Sequence, residues 1–212
     1  ILVNNVETLV NVLPILTAGA DVYRRAGTDG SPGTKLFCLS GSVRVPGVYE
    51  VPFGTTLRQL VDLAGGLPDG RSIRAVLLGG AAGSFVGPEQ LDLPLTFEAT
   101  RAAGATVGSG VVLVIDDATD LADLVRRIAA FFRDESCGQC VPCRVGTVRQ
   151  EEALVRLSVP GRSAAERAGD RLLLDEVGRA MRDASICGLG QTAWNAIESA
   201  LHRFELFGEP AS

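Results

Sequence analysis

Histidine and lysine are almost absent from this sequence of 212 residues, which contains only His202 and Lys35. His202 lies in a stretch of helical spacing, where an ordinary packed or exposed side chain is expected. With no second histidine, we expect no Ser–His–Asp or Cys–His catalytic constellation. The sequence also lacks any run of about 18 consecutive apolar residues, so direct insertion into a membrane is not expected.

Positive charge is in short supply too, because 20 Lys and Arg residues stand against 25 Asp and Glu residues, for a net charge of −5. A protein that grips the phosphate backbone of nucleic acid normally carries the opposite balance, so nucleic acid is not an expected partner. Apolar material is plentiful, and its 46% share excludes a disordered chain. The length suits one or two domains, each with its own core.

The start of the chain carries none of the signals of a secretory leader. It begins at Ile1 with no initiator methionine, no cationic segment and no cleavage signature. We therefore expect a processed product or a piece of a longer polypeptide.

Cysteine is scarce, and its placement is uneven. The odd count and low density exclude a disulfide scaffold. Three of the five cysteines fall within seven residues, which is a ligand pattern, and thiols kept reduced for that purpose indicate the cytoplasm. The five are Cys38, Cys137, Cys140, Cys143 and Cys187.

Apolar spacing divides the chain into three parts. Residues 1–30 contain an amphipathic helix, in which Pro14 predicts a kink or break. Residues 31–117 alternate short apolar strands with one capped helix, which predicts a small α+β sheet. From residue 118 to 212 the apolar spacing becomes helical, and we expect a small bundle with breaks near residues 135–137, 160–163 and 185–190.

The cysteine spacing is C-x2-C-x2-C through Cys137, Cys140 and Cys143, and Cys187 follows after 43 further residues. Four thiolates around a cubane iron–sulfur cluster suit this layout, because a compact loop supplies three ligands and a distant segment supplies the fourth. Gly138 lets the backbone curl beneath the metal. Pro142 suits the first turn of a following helix, whose N–H groups favour an anionic cluster.

Two other uses of these cysteines remain open. A structural zinc ion on four cysteines is an alternative, although zinc modules usually pair one C-x2-C with another or with histidines. Disulfides among three cysteines this close would be strained. Cys38 has no thiol neighbour in its strand, and we expect it to be a small buried hydrophobe.

The segments ESCGQCVPCRVGT, around Cys137, and DASICGLGQTA, around Cys187, resemble a known family. It comprises the NADH-binding flavoprotein (diaphorase) subunits of complex I, of NAD-linked hydrogenases and of NAD-dependent formate dehydrogenases. The segment SICGLGQTA is closer to the hydrogenase and formate dehydrogenase branch. VNNVETL, from Val3, and VPGVYEVP, from Val45, resemble the same family, so the match covers essentially the whole chain.

This resemblance implies an α+β fold with a ubiquitin-like β-grasp domain followed by a helical-bundle iron–sulfur domain. Residues 1–30 would be a helical remnant of an FMN-binding domain, 31–117 an SLBB-like β-grasp domain, and 118–212 the [4Fe-4S] domain. The glycine-rich FMN and NADH loop of the family is expected N-terminal to Ile1. Residues 1–212 alone are therefore expected to be inactive.

The resemblance also assigns site residues. Cys137, Cys140, Cys143 and Cys187 would be the [4Fe-4S] ligands. Asn4 and Asn5, with Thr8 nearby, match family positions near the FMN phosphate, whereas composition alone makes the two asparagines helix caps.

The implied function is electron transfer in a subunit of an NAD-dependent oxidoreductase. NADH gives a hydride to FMN, and the cluster takes single electrons from the flavin; in the formate-oxidising branch the flow runs towards NAD. The implied partners are a thioredoxin-like [2Fe-2S] subunit and a larger iron–sulfur or molybdenum catalytic subunit. The expected location is the cytoplasm, or the cytoplasmic face of the membrane for a complex I type assembly.

A second hypothesis is a non-catalytic β-grasp interaction module in which the four cysteines hold a structural zinc ion. Colour separates the two, because an iron–sulfur protein is brown and a zinc protein is colourless.

Overall fold

The computed structural model describes residues 1–208. Its N-terminal part is two consecutive helices, α1 (Val6–Ala18) and α2 (Ala20–Tyr23). Asn5 caps α1, since its side-chain oxygen accepts a hydrogen bond from the backbone N–H of Glu7 at 2.8 Å. The predicted break at Pro14 is wrong, because α1 continues through the proline. The chain breaks instead at Gly19, whose φ of +92° is readily adopted only by glycine.

A five-stranded mixed sheet follows, with strand order β2-β1-β5-β3-β4. Strands β1 and β5 are parallel and the other neighbours are antiparallel. The strands are β1 (Thr34–Gly41), β2 (Gly47–Pro52), β3 (Ile73–Leu78), β4 (Ser84–Val86) and β5 (Val111–Asp116). Two helices lie within this part, α3 (Leu57–Leu63) and α4 (Phe97–Ala102).

One face of the sheet packs on α3. Phe37 and Leu39 of β1 meet Leu57 and Leu60 of the helix in a continuous apolar cluster, and all four are almost fully buried. The helix begins where the sequence predicts, because Thr56 and Gln59 form a reciprocal capping box. This pairing fixes the helix across the sheet.

The last part of the chain is helical. It contains α5 (Leu121–Asp134), α6 (Val141–Leu157), α7 (Ala164–Ala184), α8 (Gly188–Thr192) and α9 (Asn195–Arg203). The chain leaves helix at residues 135–140, 158–163 and 185–187, close to the predicted breaks. Within residues 1–208, no helix is both long enough and apolar enough to cross a membrane.

The second face of the sheet packs on these helices and shares their core. Leu77, Phe85 and Ile115 of the sheet belong to the same apolar cluster as Trp194 and Leu121. The contact is also polar: the hydroxyl of Ser199 accepts a hydrogen bond from the N–H of Phe85 at 2.9 Å. The sheet and the helices thus form one packed body, a mixed α+β fold, and the division at 117/118 stays a prediction.

Gly178 of α7 is where this core tolerates no side chain. A Cβ there would lie 2.4 Å from Cγ of Trp194, an indole that is 1% exposed. We expect Gly178→Ala to lower the free energy of unfolding by about 1–3 kcal/mol through overpacking. Chemical denaturation of the purified protein measures the change.

The matched control is Gly169→Ala in the same helix, where a Cβ would meet no atom within 4 Å. It should raise stability by up to about 1 kcal/mol, because alanine favours helix. Equal effects of the two substitutions would contradict this account of the α7–Trp194 contact.

Candidate metal centre

The first cysteine segment joins α5 to α6. Cys137 is exposed in the loop, Cys140 caps α6 and is half-buried, and Cys143 lies in the first helical turn with 5% exposure. Pro142 occupies the first turn, as predicted, since its missing N–H is not needed there. Gly138 has φ +76°, so the loop makes its turn in the left-handed conformation that glycine permits.

The second segment joins α7 to α8. Cys187 caps α8 and is exposed. The backbone around it is held in place by Gln191, whose side-chain amide donates to the carbonyl of Ser185 at 3.0 Å. The N–H of Gln191 also donates to the carbonyl of Cys187 at 3.2 Å.

The two segments meet at the sulfur of Cys140. The backbone N–H groups of Ile186 and Cys143 donate to it, and these hydrogen bonds hold the pKa of the thiol below its usual value although burial opposes the shift. The hydroxyl of Ser185 adds a smaller contribution in the same direction. A thiolate is therefore favoured at a point where chain segments more than 40 residues apart touch.

Gly190 brings the segments closer still. A Cβ on this residue would lie 2.4 Å from the hydroxyl oxygen of Ser185 and 2.9 Å from Cβ of Cys143. Gly190 is buried in α8, so the absence of a side chain is what allows Ser185 and Cys143 to face one another.

Two serine hydroxyls lie beside the cysteine sulfurs. Ser136 Oγ is 3.3 Å from the sulfur of Cys143. The hydroxyl of Ser185 is buried and makes no hydrogen bond of ordinary geometry, although it points towards Cys140. A buried hydroxyl without a partner is uncommon in folded proteins, and an anionic acceptor at this place would satisfy it.

The cysteines do not converge on one point. Across residues 1–208, no three His, Cys, Asp or Glu side chains are arranged to hold a single metal ion. A structural zinc ion requires four sulfurs within about 2.3 Å of one centre. In a cubane cluster each thiolate binds a different iron atom, so wider spacing of the sulfurs is required. The donor set, four cysteines without histidine, fits the cluster better than the ion.

Arg144 supports the loop and places positive charge beside the sulfurs. Its guanidinium donates to the carbonyl of Gly138 at 3.1 Å, which ties the first helical turn of α6 back to the loop. Both effects favour an anionic group at this end of the helix.

The expected FMN contacts lie at the other end of the chain's path. Asn4, Asn5 and Thr8 are all exposed, and only Thr8 lines a cavity, of about 360 Å³, between α1 and the sheet. Asn5 makes the helix cap that composition predicts. The structure gives Asn4 no described contact with the other two.

Sequence reasoning missed the contact that anchors α1. Glu7 accepts hydrogen bonds from the Lys35 ammonium and the Leu36 N–H, each at 2.8 Å. Partial burial opposes ionisation of Glu7, but the Leu36 N–H and the Lys35 ammonium outweigh it and hold the pKa of the carboxyl below its usual value. The signal was the lone lysine next to β1, with a glutamate available in VNNVETL.

The expectation for Cys38 is wrong. Its side chain is exposed, because strand alternation turns Phe37 and Leu39 towards the α3 core and leaves Cys38 on the opposite face. The helices cover that face over β3, β4 and β5, but not at Cys38.

Two family profiles match the chain. The NADH-ubiquinone oxidoreductase-F iron-sulfur binding region matches residues 123–207, which include both cysteine segments, and the SLBB domain matches residues 36–83. The chain belongs to the NADH-quinone oxidoreductase-F family. A 4Fe-4S-binding region is therefore present.

Members of this family in different complexes are similar to the chain. The second NADH-quinone oxidoreductase-F protein of Rhizobium meliloti (strain 1021) is 40% identical over 203 residues, which are 95% of this chain and 47% of the relative. NADP-reducing hydrogenase subunit HndC of Solidesulfovibrio fructosivorans is 38% identical over 205 residues, 96% of this chain and 41% of the relative. The chain thus spans less than half the length of these family members.

A solved structure has the same fold. An NAD⁺-reducing [NiFe]-hydrogenase in its H₂-reduced state superposes with a TM-score of 0.84 at 38% sequence identity. The match covers 98% of this chain and 34% of the hydrogenase chain.

Proposed function

We propose that Cys137, Cys140, Cys143 and Cys187 hold one [4Fe-4S] cluster and that the chain carries electrons within an NAD(H)-linked oxidoreductase. The observation that supports this most is the meeting of the two cysteine segments, where the N–H of Ile186 donates to the sulfur of Cys140. A [4Fe-4S] cluster supplies one-electron transfer at a potential set by its surroundings.

The residues around the sulfurs would stabilise a negatively charged group. Backbone N–H groups from two segments, the first turn of α6 and the guanidinium of Arg144 all present positive charge there. Cys137 and Cys187 are exposed, so an electron partner can approach closely. These residues ligate, hold the charge and leave one side open.

The domain assignment belongs to this proposal. Strand order β2-β1-β5-β3-β4, with β1 and β5 parallel and α3 across one face, supports a ubiquitin-like β-grasp fold for residues 31–117. The SLBB match within that range supports it as well. Residues 118–212 would then be the helical cluster-binding domain and 1–30 part of the FMN-binding side.

We further infer that α1 lies next to the flavin in the intact subunit. None of its residues is buried, and apolar side chains such as Leu9, Leu13 and Leu16 are uncovered. Asn4, Asn5 and Thr8 would contribute one edge of an FMN site. An uncovered apolar helix needs a packing partner, and relatives about twice as long have residues to provide one.

The wider assembly follows from the relatives. The proposed partners are a thioredoxin-like [2Fe-2S] subunit and a larger iron–sulfur or molybdenum catalytic subunit, with the whole in the cytoplasm or on the cytoplasmic side of a membrane. Some of the relatives are named as subunits of quinone-reducing enzymes and another as a subunit of a hydrogenase. The terminal electron donor or acceptor differs between them.

Reductant choice tests this division of labour. Residues 1–212, loaded with iron and sulfide and mixed with FMN, should be reduced by dithionite but not by NADH. Hydride transfer needs the nicotinamide against the flavin ring in a site that buries most of both cofactors, and exposed Asn4 and Asn5 form only one edge. Visible absorbance and electron paramagnetic resonance report reduction.

Two results would contradict the proposal. Failure of dithionite to reduce the iron-loaded protein would remove the electron-transfer function. Stoichiometric FMN binding with NADH-dependent dye reduction would place the flavin site within these residues.

A further inference from the structure

Two hydroxyl groups beside the cysteine sulfurs have no structural task that explains them. Ser185 is 6% exposed, and its Oγ has no hydrogen-bond partner of ordinary geometry among the described residues. The backbone of Ser185 is already satisfied, since its N–H donates to Met181 and its carbonyl accepts from Gln191. Its side chain therefore caps neither α7 nor α8.

The position of the Ser185 hydroxyl is closely constrained. Gly190 has no side chain, and a Cβ built there would overlap Ser185 Oγ at 2.4 Å and Cys143 Cβ at 2.9 Å. Ser185 Oγ and Cys143 are thus brought to the same small space from opposite segments. The one polar group that Oγ faces there is the sulfur of Cys140, whose thiolate form it favours.

Ser136 is the counterpart in the first segment. Its Oγ lies 3.3 Å from the sulfur of Cys143 and 3.4 Å from the N–H of Gly138, which donates to it. Since it accepts from Gly138, its own proton is free to be donated. A metal-bound thiolate has no proton to give, so Ser136 must be the donor to Cys143 once metal is bound.

We propose that Ser136 and Ser185 donate hydrogen bonds to the thiolates of Cys143 and Cys140 and so raise the reduction potential of the bound cluster. This inference rests on the proposed [4Fe-4S] site. A donor stabilises the more negative, reduced state more than the oxidised state, and hydrogen bonds to sulfur are a main determinant of cluster potential. The bound cluster also gives the Ser185 hydroxyl the acceptor it lacks.

The test is the midpoint potential of Ser136→Ala and Ser185→Ala, measured by redox titration with electron paramagnetic resonance in the iron-loaded protein. Each variant should keep its iron and sulfide and have a lower potential. At a fixed solution potential, the reduced-to-oxidised ratio should fall roughly threefold to tenfold per hydroxyl. A tenfold fall equals about 59 mV for a one-electron couple.

Two further variants separate hydrogen bonding from general structural effects. Ser136→Thr keeps a hydroxyl and should have a potential near that of the unaltered protein. Ser158→Ala removes a hydroxyl from the same helix-capping context, since Ser158 Oγ donates to the carbonyl of Leu154. It lies about 22 Å along α6 from Cys143 and should leave the potential unchanged.

Unchanged potentials in both alanine variants, with full iron content, would overturn the proposal. Loss of iron from Ser185→Ala alone would show that the hydroxyl serves assembly, and the proposal would be wrong for that residue. Absence of iron from the unaltered protein is a different result, because it would refute the proposed site itself.

Discussion

Replacement of Cys137, Cys140, Cys143 or Cys187 by serine is expected to abolish or severely reduce cluster binding. Serine keeps the shape of cysteine but is a poor ligand for iron, and each of the four would hold a separate iron atom. Iron and acid-labile sulfide per chain, with the visible spectrum, are the measurements. The fold should survive, because most of the helical core lies away from the sulfurs.

Cys38→Ser is the matched control for these four substitutions. Cys38 lies in β1, opposite Val48 of β2 and Val111 of β5, so it belongs to the sheet and not to either cysteine segment. Iron content should be unchanged in this variant. Loss of iron from Cys38→Ser with retention in Cys187→Ser would refute the ligand assignment.

The second large effect is expected for Gly190→Ala. The added methyl group would overlap Ser185 and Cys143, so the two segments would have to move apart by several tenths of an ångström or more. Ligands held at the wrong separation bind a rigid cluster poorly, and we expect most of the iron to be lost. Iron content and the electron paramagnetic resonance signal of the reduced protein report the effect.

The result gains meaning because alanine is the better helix former at such a position. Gly169→Ala, in α7 and in open space, should keep full iron content. Normal cluster loading in Gly190→Ala would show that the close approach of the two segments is not required.

The site was more predictable than the packing around it. The cysteine spacing and Pro142 identify a loop that leads into a helix, because both are local signals. The meeting of Cys140 with Ile186 depends on how α6, α7 and α8 pack, and no local pattern contains that information. Ser185 and Gly190 acquire their roles only from this contact.

Similar limits apply to the rest of the fold. Alternation in β1 predicts that Phe37 and Leu39 share a face, but not that the helices would leave Cys38 uncovered. Pro14 is tolerated because α1 has no neighbour packed against it to fix a break there, whereas Gly19 supplies the positive φ that ends the helix. The three-residue strand β4 is too short to give a periodic signal.

The central claim is that this chain binds a [4Fe-4S] cluster through four cysteines. Its most direct test is the content of iron, acid-labile sulfide and zinc in the unaltered chain, purified without oxygen, together with the spectrum of the dithionite-reduced protein. We predict iron and sulfide in equal amounts, negligible zinc, a brown colour and the resonance of a reduced cubane cluster. A colourless protein with one zinc ion per chain would contradict the account.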